Sequence, residues 1–120
     1  MSEAKTITDP KTTARDLTAF QQNVLIVLSE ESRYGLAIKR ELESFYDEEV
    51  NHGRLYPNLD TLIERGLVEK SELDKRTNEY GITEDGIAVL LDSFEWRFGK
   101  FITDNDRAEQ LRDLIEADQQ

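Results

Sequence analysis

The side chains best suited to chemistry cluster at the beginning of one predicted helix. They are Asn51, His52, Arg54, Tyr56 and Asn58. An arginine can donate two hydrogen bonds to guanine O6 and N7, and an asparagine can pair with adenine N6 and N7. Gly53 leaves room for a close backbone approach, and a helix N-terminus favours a phosphate. The pattern predicts contacts to base edges and phosphates; the alternative is that Asn51 only caps the helix and Tyr56 only packs.

A second basic element is the densest short basic run in an acidic chain. It consists of Lys75, Arg76, Thr77 and Asn78. Because the negative potential of a narrow minor groove attracts arginine, Arg76 is a candidate for insertion there. A solvated loop tip is the alternative interpretation. Weaker candidates for phosphate contacts are Arg33, Lys39 and Arg40.

Other kinds of chemistry find little support. The chain has no cysteine and a single histidine, which excludes disulfides and thiolate ligands and argues against a histidine metal site. No carboxylate pair stands in an apolar setting that would raise a pKa, and no nucleophile has a base beside it. We therefore expect a protein that is not an enzyme and that uses no metal and no cofactor.

The charge balance allows two interpretations. With 26 acidic and 15 basic residues the net charge is -11, whereas proteins that bind nucleic acid usually carry a basic surface. One interpretation is an acidic protein that binds no polyanion. The other is a salt-adapted protein, whose acidic surface stays hydrated in molar salt while one local face remains basic. An excess of arginine over lysine fits the second, and the positions of the charges must decide.

Helices and a hairpin are predicted to position these groups. Apolar residues at helical spacing predict helices at about 17–28, 34–46 and 52–65, the third capped by Asn51 and closed by Gly66. Pro57 is unfavourable there because it donates no backbone hydrogen bond. Strands are predicted at 67–70 and 78–82, joined by a long polar tip at 72–77. Thr83 caps a fourth helix, and residues 103–106 separate it from a last one.

The apolar faces of the first four helices form the predicted core, because residues at this spacing share one side of a helix. In chain order they are Leu17, Phe20, Val24, Val27, Leu28; Leu36, Ile38, Leu42, Phe45; Leu55, Leu59, Leu62, Ile63; and Ile87, Leu90, Leu91, Phe94, Phe98.

The order helix, helix, helix, hairpin, helix predicts a winged helix-turn-helix, a mainly α fold with a small β-hairpin wing. In this fold the third helix enters the major groove, and the hairpin reaches the flanking backbone or minor groove. We expect a flexible arm at 1–13, a DNA-binding domain at 14–91 and a C-terminal dimerisation region at 92–120. The recognition helix would span about 52–65 and the wing about 70–80.

Four segments resemble the PadR family of winged-helix transcription regulators. They are Tyr34–Ile38, Gly53–Leu59, Leu62–Val68 and Tyr80–Gly86, and they follow the order and spacing of the family over roughly residues 20–91. The resemblance implies a homodimer that exchanges its C-terminal helix with its partner and binds a two-fold symmetric operator in double-stranded DNA. By motif position, it implies groove-reading residues at His52, Arg54, Tyr56 and Asn58, with Arg76 in the wing.

The sequence also departs from the family. Many relatives have serine or threonine at the position of Arg54, so base preference does not carry over, and their wings are longer and more basic. The acidic composition resembles that of haloarchaeal members, among them a regulator of the reactive-oxygen response, which implies a role in stress. The family also permits a small aromatic ligand between the protomers near Trp96, or no ligand.

The C-terminal region carries more apolar groups than one small domain can bury. They are Phe94, Trp96, Phe98, Phe101, Ile102, Leu111, Leu114 and Ile115. An exposed patch of this size marks an association surface, so these residues predict a homodimer interface. Packing of Phe94 and Phe98 within the protomer is the alternative.

A different function on the same fold stays open. Because the chain is acidic, a winged-helix protein-interaction module without DNA binding is the second hypothesis. A basic stripe spanning Arg54 and Arg76 would favour DNA. In molar salt, bound cations that bridge carboxylates to phosphates would also help such a protein to bind DNA.

Membrane insertion is not expected. The sequence has no stretch of about 18 apolar residues, and residues 1–13 lack the apolar core of a secretory signal. We expect a cytoplasmic protein.

Overall fold

The computed structural model describes residues 15–74 and 77–117. Its elements, in chain order, are α1 (Ala19–Glu30), β1 (Arg33–Tyr34), α2 (Gly35–Tyr46), α3 (His52–Glu64), β2 (Val68–Asp74), β3 (Thr77–Ile82), α4 (Glu84–Phe101) and α5 (Asn105–Ala117). The predicted order of three helices, a hairpin and a further helix is confirmed, and the fold is a winged helix-turn-helix. The arm predicted at 1–13 lies outside the described residues.

A three-stranded antiparallel sheet forms beside the helices in the order β1-β3-β2. The edge strand β1 pairs Arg33 with Tyr80 and Tyr34 with Glu79. The sequence analysis missed this strand and assigned Tyr34 to a helix, which instead begins at Gly35. A two-residue strand is too short to show any alternation of apolar and polar side chains, so only its pairing defines it.

The hairpin strands are longer than predicted. Pairing continues through Ser71 opposite Glu79 and Glu72 opposite Asn78 to Asp74 opposite Thr77, with an irregularity between Glu72 and Asp74. The long polar tip predicted at 72–77 is therefore wrong, since only 75–76 lie between the strands. Charged residues have low strand propensity, but cross-strand pairing overrides that preference here.

The hydrophobic core lies where the helices meet the sheet. Its fully buried side chains include Leu25 of α1, Ile38 and Leu42 of α2, Leu55 of α3 and Val89 of α4. This confirms the central part of each predicted apolar face.

The ends of the predicted apolar faces are wrong at five positions, which are Leu36, Phe45, Ile87, Leu91 and Phe98. Leu36 is 49% exposed and Phe45 is 70% exposed. Leu36 lies two residues before Ile38, on the other side of the helix, and Phe45 lies in the last turn of α2, where its ring packs edge-on against Tyr46. On α4, Ile87 and Leu91 also face outward, because Val89 and Leu90 are the residues turned towards the core.

Local hydrogen bonds explain where the helices begin and end. The Thr18 hydroxyl accepts from the Gln21 backbone N–H, and the Gln21 side chain accepts from the Thr18 N–H, which forms a capping box for α1. Thr83 caps α4 as predicted. Gly66 has the left-handed φ of 79° expected after α3, and the N–H of Leu67 reaches back to the carbonyl of Leu62. This tight closure joins α3 directly to β2.

The C-terminal helices extend away from the core. The structure carries α4 unbroken from Glu84 to Phe101, so the predicted domain boundary at 91/92 falls inside a helix. Asp104 accepts from the Arg107 N–H at 2.9 Å as α5 begins, and α5 has no buried residue. Within the described ranges, no helix is long and apolar enough to cross a membrane.

Candidate nucleic-acid interface

The first turn of α3 carries most of the predicted reading residues. The helix turns Leu55, Leu59 and Leu62 into the core, so the side chains one position away from them project sideways or outward. Asn51 is the cap: its side-chain oxygen accepts from the Arg54 N–H at 2.8 Å. The capping role considered as the alternative for Asn51 is therefore present.

Arg54 projects from α3 onto two aromatic rings. Its guanidinium carbon lies 4.0 Å from the centroid of the buried Phe20 ring and 5.7 Å from that of Tyr46. None of the carboxylates in residues 15–74 and 77–117 forms an ion pair with it. A guanidinium stacked on a ring keeps its N–H groups at its edge, available to an outside acceptor.

Asn58 is held inside the protomer. Its Oδ1 accepts from Gln21 Nε2 at 3.0 Å, and its Nδ2 donates to the Arg54 carbonyl at 2.7 Å. One acceptor position and one donor of the amide are therefore used within the protomer. Sequence reasoning could not detect this, because the partner Gln21 is far away in the chain.

His52 and Tyr56 stack on each other beside the helix start. Their ring centroids are 5.5 Å apart, with an angle of 13° between the planes. His52 is exposed and Tyr56 is half-buried. The Tyr56 hydroxyl lies against Gly35, where any Cβ would overlap it. Tyr56 thus contributes to packing as well as lining the surface.

Tyr80 lies close to Tyr56 and Asp60. Burial raises the pKa of Tyr80 above its ordinary value, and the neighbouring Tyr56 and Asp60 raise it further. The phenol therefore stays neutral at physiological pH and adds no negative charge beneath α3.

The outward side of α3 is formed by four exposed residues. They are Gly53, Pro57, Asp60 and Glu64. Because an α-helix turns by about 100° per residue, these four positions lie on the side opposite the buried leucines. The helical period was the signal that could have identified Pro57 as an outward-facing residue.

Two of the weaker candidates for phosphate contacts form ion pairs with carboxylates. Arg33 is largely buried and pairs with Glu30, with Glu31 at 3.6 Å and with Glu41 at 4.0 Å. Lys39 pairs with Glu43 at 2.7 Å. Arg33 and Lys39 therefore already have carboxylate partners within the protomer, and their contact with phosphates stays a prediction. Arg40 is exposed and makes no ion pair among the described residues.

Glu43 joins Lys39 to the chain after α2. The hydrogen bond from Lys39 and the N–H of Val50, at 2.9 Å, lower the pKa of Glu43. The same carboxylate therefore closes the loop that leads into α3.

The described part of the wing is acidic. Its carboxylates are Glu69, Glu72, Asp74 and Glu79, and Lys70 is the one cation in residues 68–74 and 77–82. Of the predicted tip residues, Lys75 and Arg76 lie outside the described residues, and Thr77 is half-buried at the start of β3. A basic contact by the wing therefore depends on the two tip positions.

The last two helices expose a large apolar surface. Leu114 is 69% exposed, Trp96 is 66% exposed and Phe101 is 44% exposed. Phe98 and Ile115 are exposed as well, Leu111 is half-buried, and Phe94 packs on the core while stacking on Phe98 at 5.6 Å.

By helical period Trp96 lies on a different side of α4 from Phe94 and Phe98. It lines a groove of about 680 Å³ together with Arg15, Leu17, Gln22, Asp92, Ser93, Glu95 and Arg97. Within residues 15–74 and 77–117, no group of His, Cys, Asp and Glu side chains is arranged to hold a metal ion.

Three helices, a hairpin directly after the third, and polar side chains at the start of that third helix define a DNA-binding winged-helix protein. The chain belongs to the PadR-like family of transcriptional regulators, whose family model matches residues 24–92.

Solved structures agree with this assignment. The RosR-S4 complex of hsRosR is 62% identical, with a TM-score of 0.89, over 92% of this chain and 96% of that one. H. salinarum RosR grown from NaBr is 64% identical, with a TM-score of 0.85, over 88% of this chain and 96% of that one. A transcriptional regulator from Clostridium thermocellum is 27% identical, with a TM-score of 0.55, over 67% and 84% of the two chains. No curated protein sequence matches this chain.

Proposed function

We propose that this regulator acts as a homodimer on a two-fold symmetric operator, with α3 in the major groove and the wing on the flanking minor groove. The observation that carries the proposal is Arg54: it lies at the start of α3, rests on Phe20 and is free of carboxylates among the described residues. In an acidic chain, an uncompensated arginine at this end of a recognition helix is suited to guanine O6 and N7.

The other contacts are proposed from position in the sequence and in the fold. His52 and Tyr56 belong to the same helix as Arg54, Arg40 is exposed and suited to a phosphate, and Lys75, Arg76 and Thr77 would provide the wing contact. Asn58 helps to fix the backbone of Arg54, because its side-chain amide donates to the Arg54 carbonyl. We propose that the protein is a regulator and not an enzyme, and that it acts in the cytoplasm as a reader of chromosomal DNA.

Dimerisation is supported by the apolar surface of α4 and α5. Residues such as Leu91, Phe98 and Leu114 are too exposed for a stable monomer surface of this extent. A second protomer would cover them and would provide the second α3, about one helical turn of DNA or 34 Å away.

Salt ions are proposed as participants in DNA binding. The described part of the wing carries Glu69, Glu72 and Glu79, and those of them that meet the flanking backbone would repel its phosphates. Bound potassium or sodium ions between the two would remove that repulsion. Ordinary binding releases counterions and weakens steeply with salt, so ion uptake should produce a shallow or inverted dependence on KCl.

A small aromatic effector is proposed for the groove beside Trp96. An exposed indole at the wall of a partly apolar groove can stack on an aromatic ring. Since Trp96 is the only tryptophan of the chain, quenching of its fluorescence by a candidate ligand reports binding directly.

The second candidate is a protein-interaction module that has lost DNA binding, and the net charge of -11 favours it. The two candidate functions are distinguished by one experiment. The protein is titrated against a library of genomic duplex fragments at several KCl concentrations, and the retained fragments are sequenced. A shared inverted repeat, lost with Arg54→Ala, supports DNA reading. A retained pool identical to the input at every salt concentration contradicts it.

A further inference from the structure

Gly53 and Pro57 occupy the outward side of α3, one helical turn apart. Both are exposed and lie opposite Leu55 and Leu59, which are fully buried. Both residue types weaken a helix: glycine through backbone entropy, and proline because it lacks the N–H that would bond to the carbonyl four residues earlier, which here is Gly53.

The described fold gives no reason for the glycine. A Cβ on Gly53 would meet a single side-chain atom, Asn51 Oδ1, at 3.4 Å, and Gly53 is not among the residues with positive φ. The contrast is clear at Gly35, where a Cβ would overlap Tyr56, and at Gly66, which has a positive φ. Alanine would therefore fit at position 53 and strengthen the helix.

The fold also tolerates Pro57 without requiring it. Its ring is exposed, and Gly53, whose carbonyl receives no hydrogen bond from Pro57, is exposed as well. Two helix-weakening residues on one exposed face, each without an internal reason, indicate a requirement that comes from outside the protomer.

We propose that Gly53 and Pro57 form a contact surface for thymine in the operator. The missing side chain at Gly53 lets α3 approach the base edges closely, and the Pro57 ring packs on the 5-methyl group of a thymine. That methyl is the apolar feature of the major groove, and Pro57 is the apolar side chain on the outward side of α3. The inference rests on the proposed function, in which α3 enters the major groove.

Replacing single thymines of the recovered operator by deoxyuridine tests the methyl contact. Deoxyuridine keeps every hydrogen-bonding group of thymine and lacks only the methyl. The wild-type protein should lose affinity several-fold at one symmetry-related position in each half-site, and Pro57→Ala should bind thymine and deoxyuridine equally there. If Pro57→Ala responds to every replacement as the wild type does, the methyl contact is wrong.

Gly53→Ala tests the close approach. It should raise Tm, because alanine favours the helix, yet weaken operator binding at least tenfold, because the Cβ keeps α3 from the base edges. Ser29→Ala is the control: Ser29 is exposed near the end of α1, outside α3, the wing and the α4–α5 surface, and alanine favours the helix, so this variant should raise Tm and leave affinity unchanged. Gly53→Ala binding as tightly as the wild type would overturn the inference.

Different results would refute operator binding and the thymine contact. If no operator is recovered, the proposed function fails and this inference with it. If an operator is recovered and Arg54→Ala loses it, while the deoxyuridine scan is flat and Gly53→Ala binds normally, the proposed function stands and the thymine contact is refuted.

Discussion

The guanidinium of Arg54 stacks on the ring of Phe20, with 4.0 Å between the guanidinium carbon and the ring centroid. Phe20 belongs to the core of α1 and Arg54 to the exposed start of α3. A long side chain loses much rotamer freedom when it binds, which costs affinity. The stack restricts Arg54 before any partner arrives, so we expect α1 to preorganise Arg54 for the proposed contact with DNA.

Phe20→Leu should therefore weaken operator binding. Loss of the cation–ring interaction, worth about 0.5–1 kcal/mol at an exposed site, corresponds to roughly twofold to fivefold in Kd. The measurement is a double-mutant cycle with Arg54→Ala, in which Phe20→Leu should have little further effect. Val24→Ala is the control, since Val24 is buried on the same helix and should cost stability without affinity. An equal loss of affinity in both Arg54 backgrounds would show that Phe20 does not act through Arg54.

Asn58 should matter more for stability than for base preference. Asn58→Ala removes the acceptor of the buried Gln21 amide, and an unsatisfied buried donor costs about 1–3 kcal/mol. Urea unfolding at high KCl measures this loss, and Gln21→Ala in the same cycle should show that the two effects are coupled. If Asn58→Ala keeps full stability and loses operator preference, Asn58 is a base reader after all.

The fold is more predictable than the site, and the residues show why. Repeating apolar residues such as Leu55, Leu59 and Leu62 identify a helix and its buried side, because the helical period is a local property. The caps Asn51 and Thr83 are local as well. The strand at Arg33–Tyr34 escaped prediction because it exists only through its pairing with β3.

The state of each polar side chain depends on its partners, some of which are local and some distant in the chain. Arg33, Lys39 and Asn58 looked like free contact residues, but carboxylates hold the first two and Gln21 holds the third. Arg54 remained available because the residue beneath it is a phenylalanine and not an acid. The spacing of Lys39 and Glu43 could have indicated their ion pair, whereas Gln21 lies 37 residues from Asn58 and its contact could not be seen locally.

The pH dependence of stability should show the contribution of the Glu43 carboxylate to folding. The hydrogen bond from Lys39 and the N–H of Val50 lower its pKa below the ordinary value of 4.5. A carboxyl with a lower pKa in the folded state stabilises the fold above its unfolded-state pKa, and this contribution is lost as pH falls through the folded-state pKa. Glu43→Gln should therefore lower Tm at pH 7, and the difference from wild type should shrink below pH 4. Glu48→Gln, on an exposed residue, should show no such convergence; a pH-independent difference for Glu43→Gln would contradict the assignment.

The apolar surface of α5 should determine the oligomeric state. Leu114→Asp introduces a charge where Leu114 is 69% exposed, and burying an unpaired charge strongly disfavours association. Sedimentation in molar KCl should show a dimer for the wild type and a monomer for this variant. Phe45→Asp is the matched control, because Phe45 is 70% exposed on α2, away from α4 and α5. A monomeric wild type, or a dimeric Leu114→Asp, would refute the interface.

The most direct test is the ratio of Kd values for the recovered operator and a scrambled duplex of the same length and composition, measured across KCl concentrations. Specific readers favour their site by roughly a thousandfold or more, and removing one bidentate arginine costs about 1–3 kcal/mol of that preference. We predict a large ratio for the wild type that Arg54→Ala sharply reduces. Equal affinity for the two duplexes at every salt concentration would contradict the account.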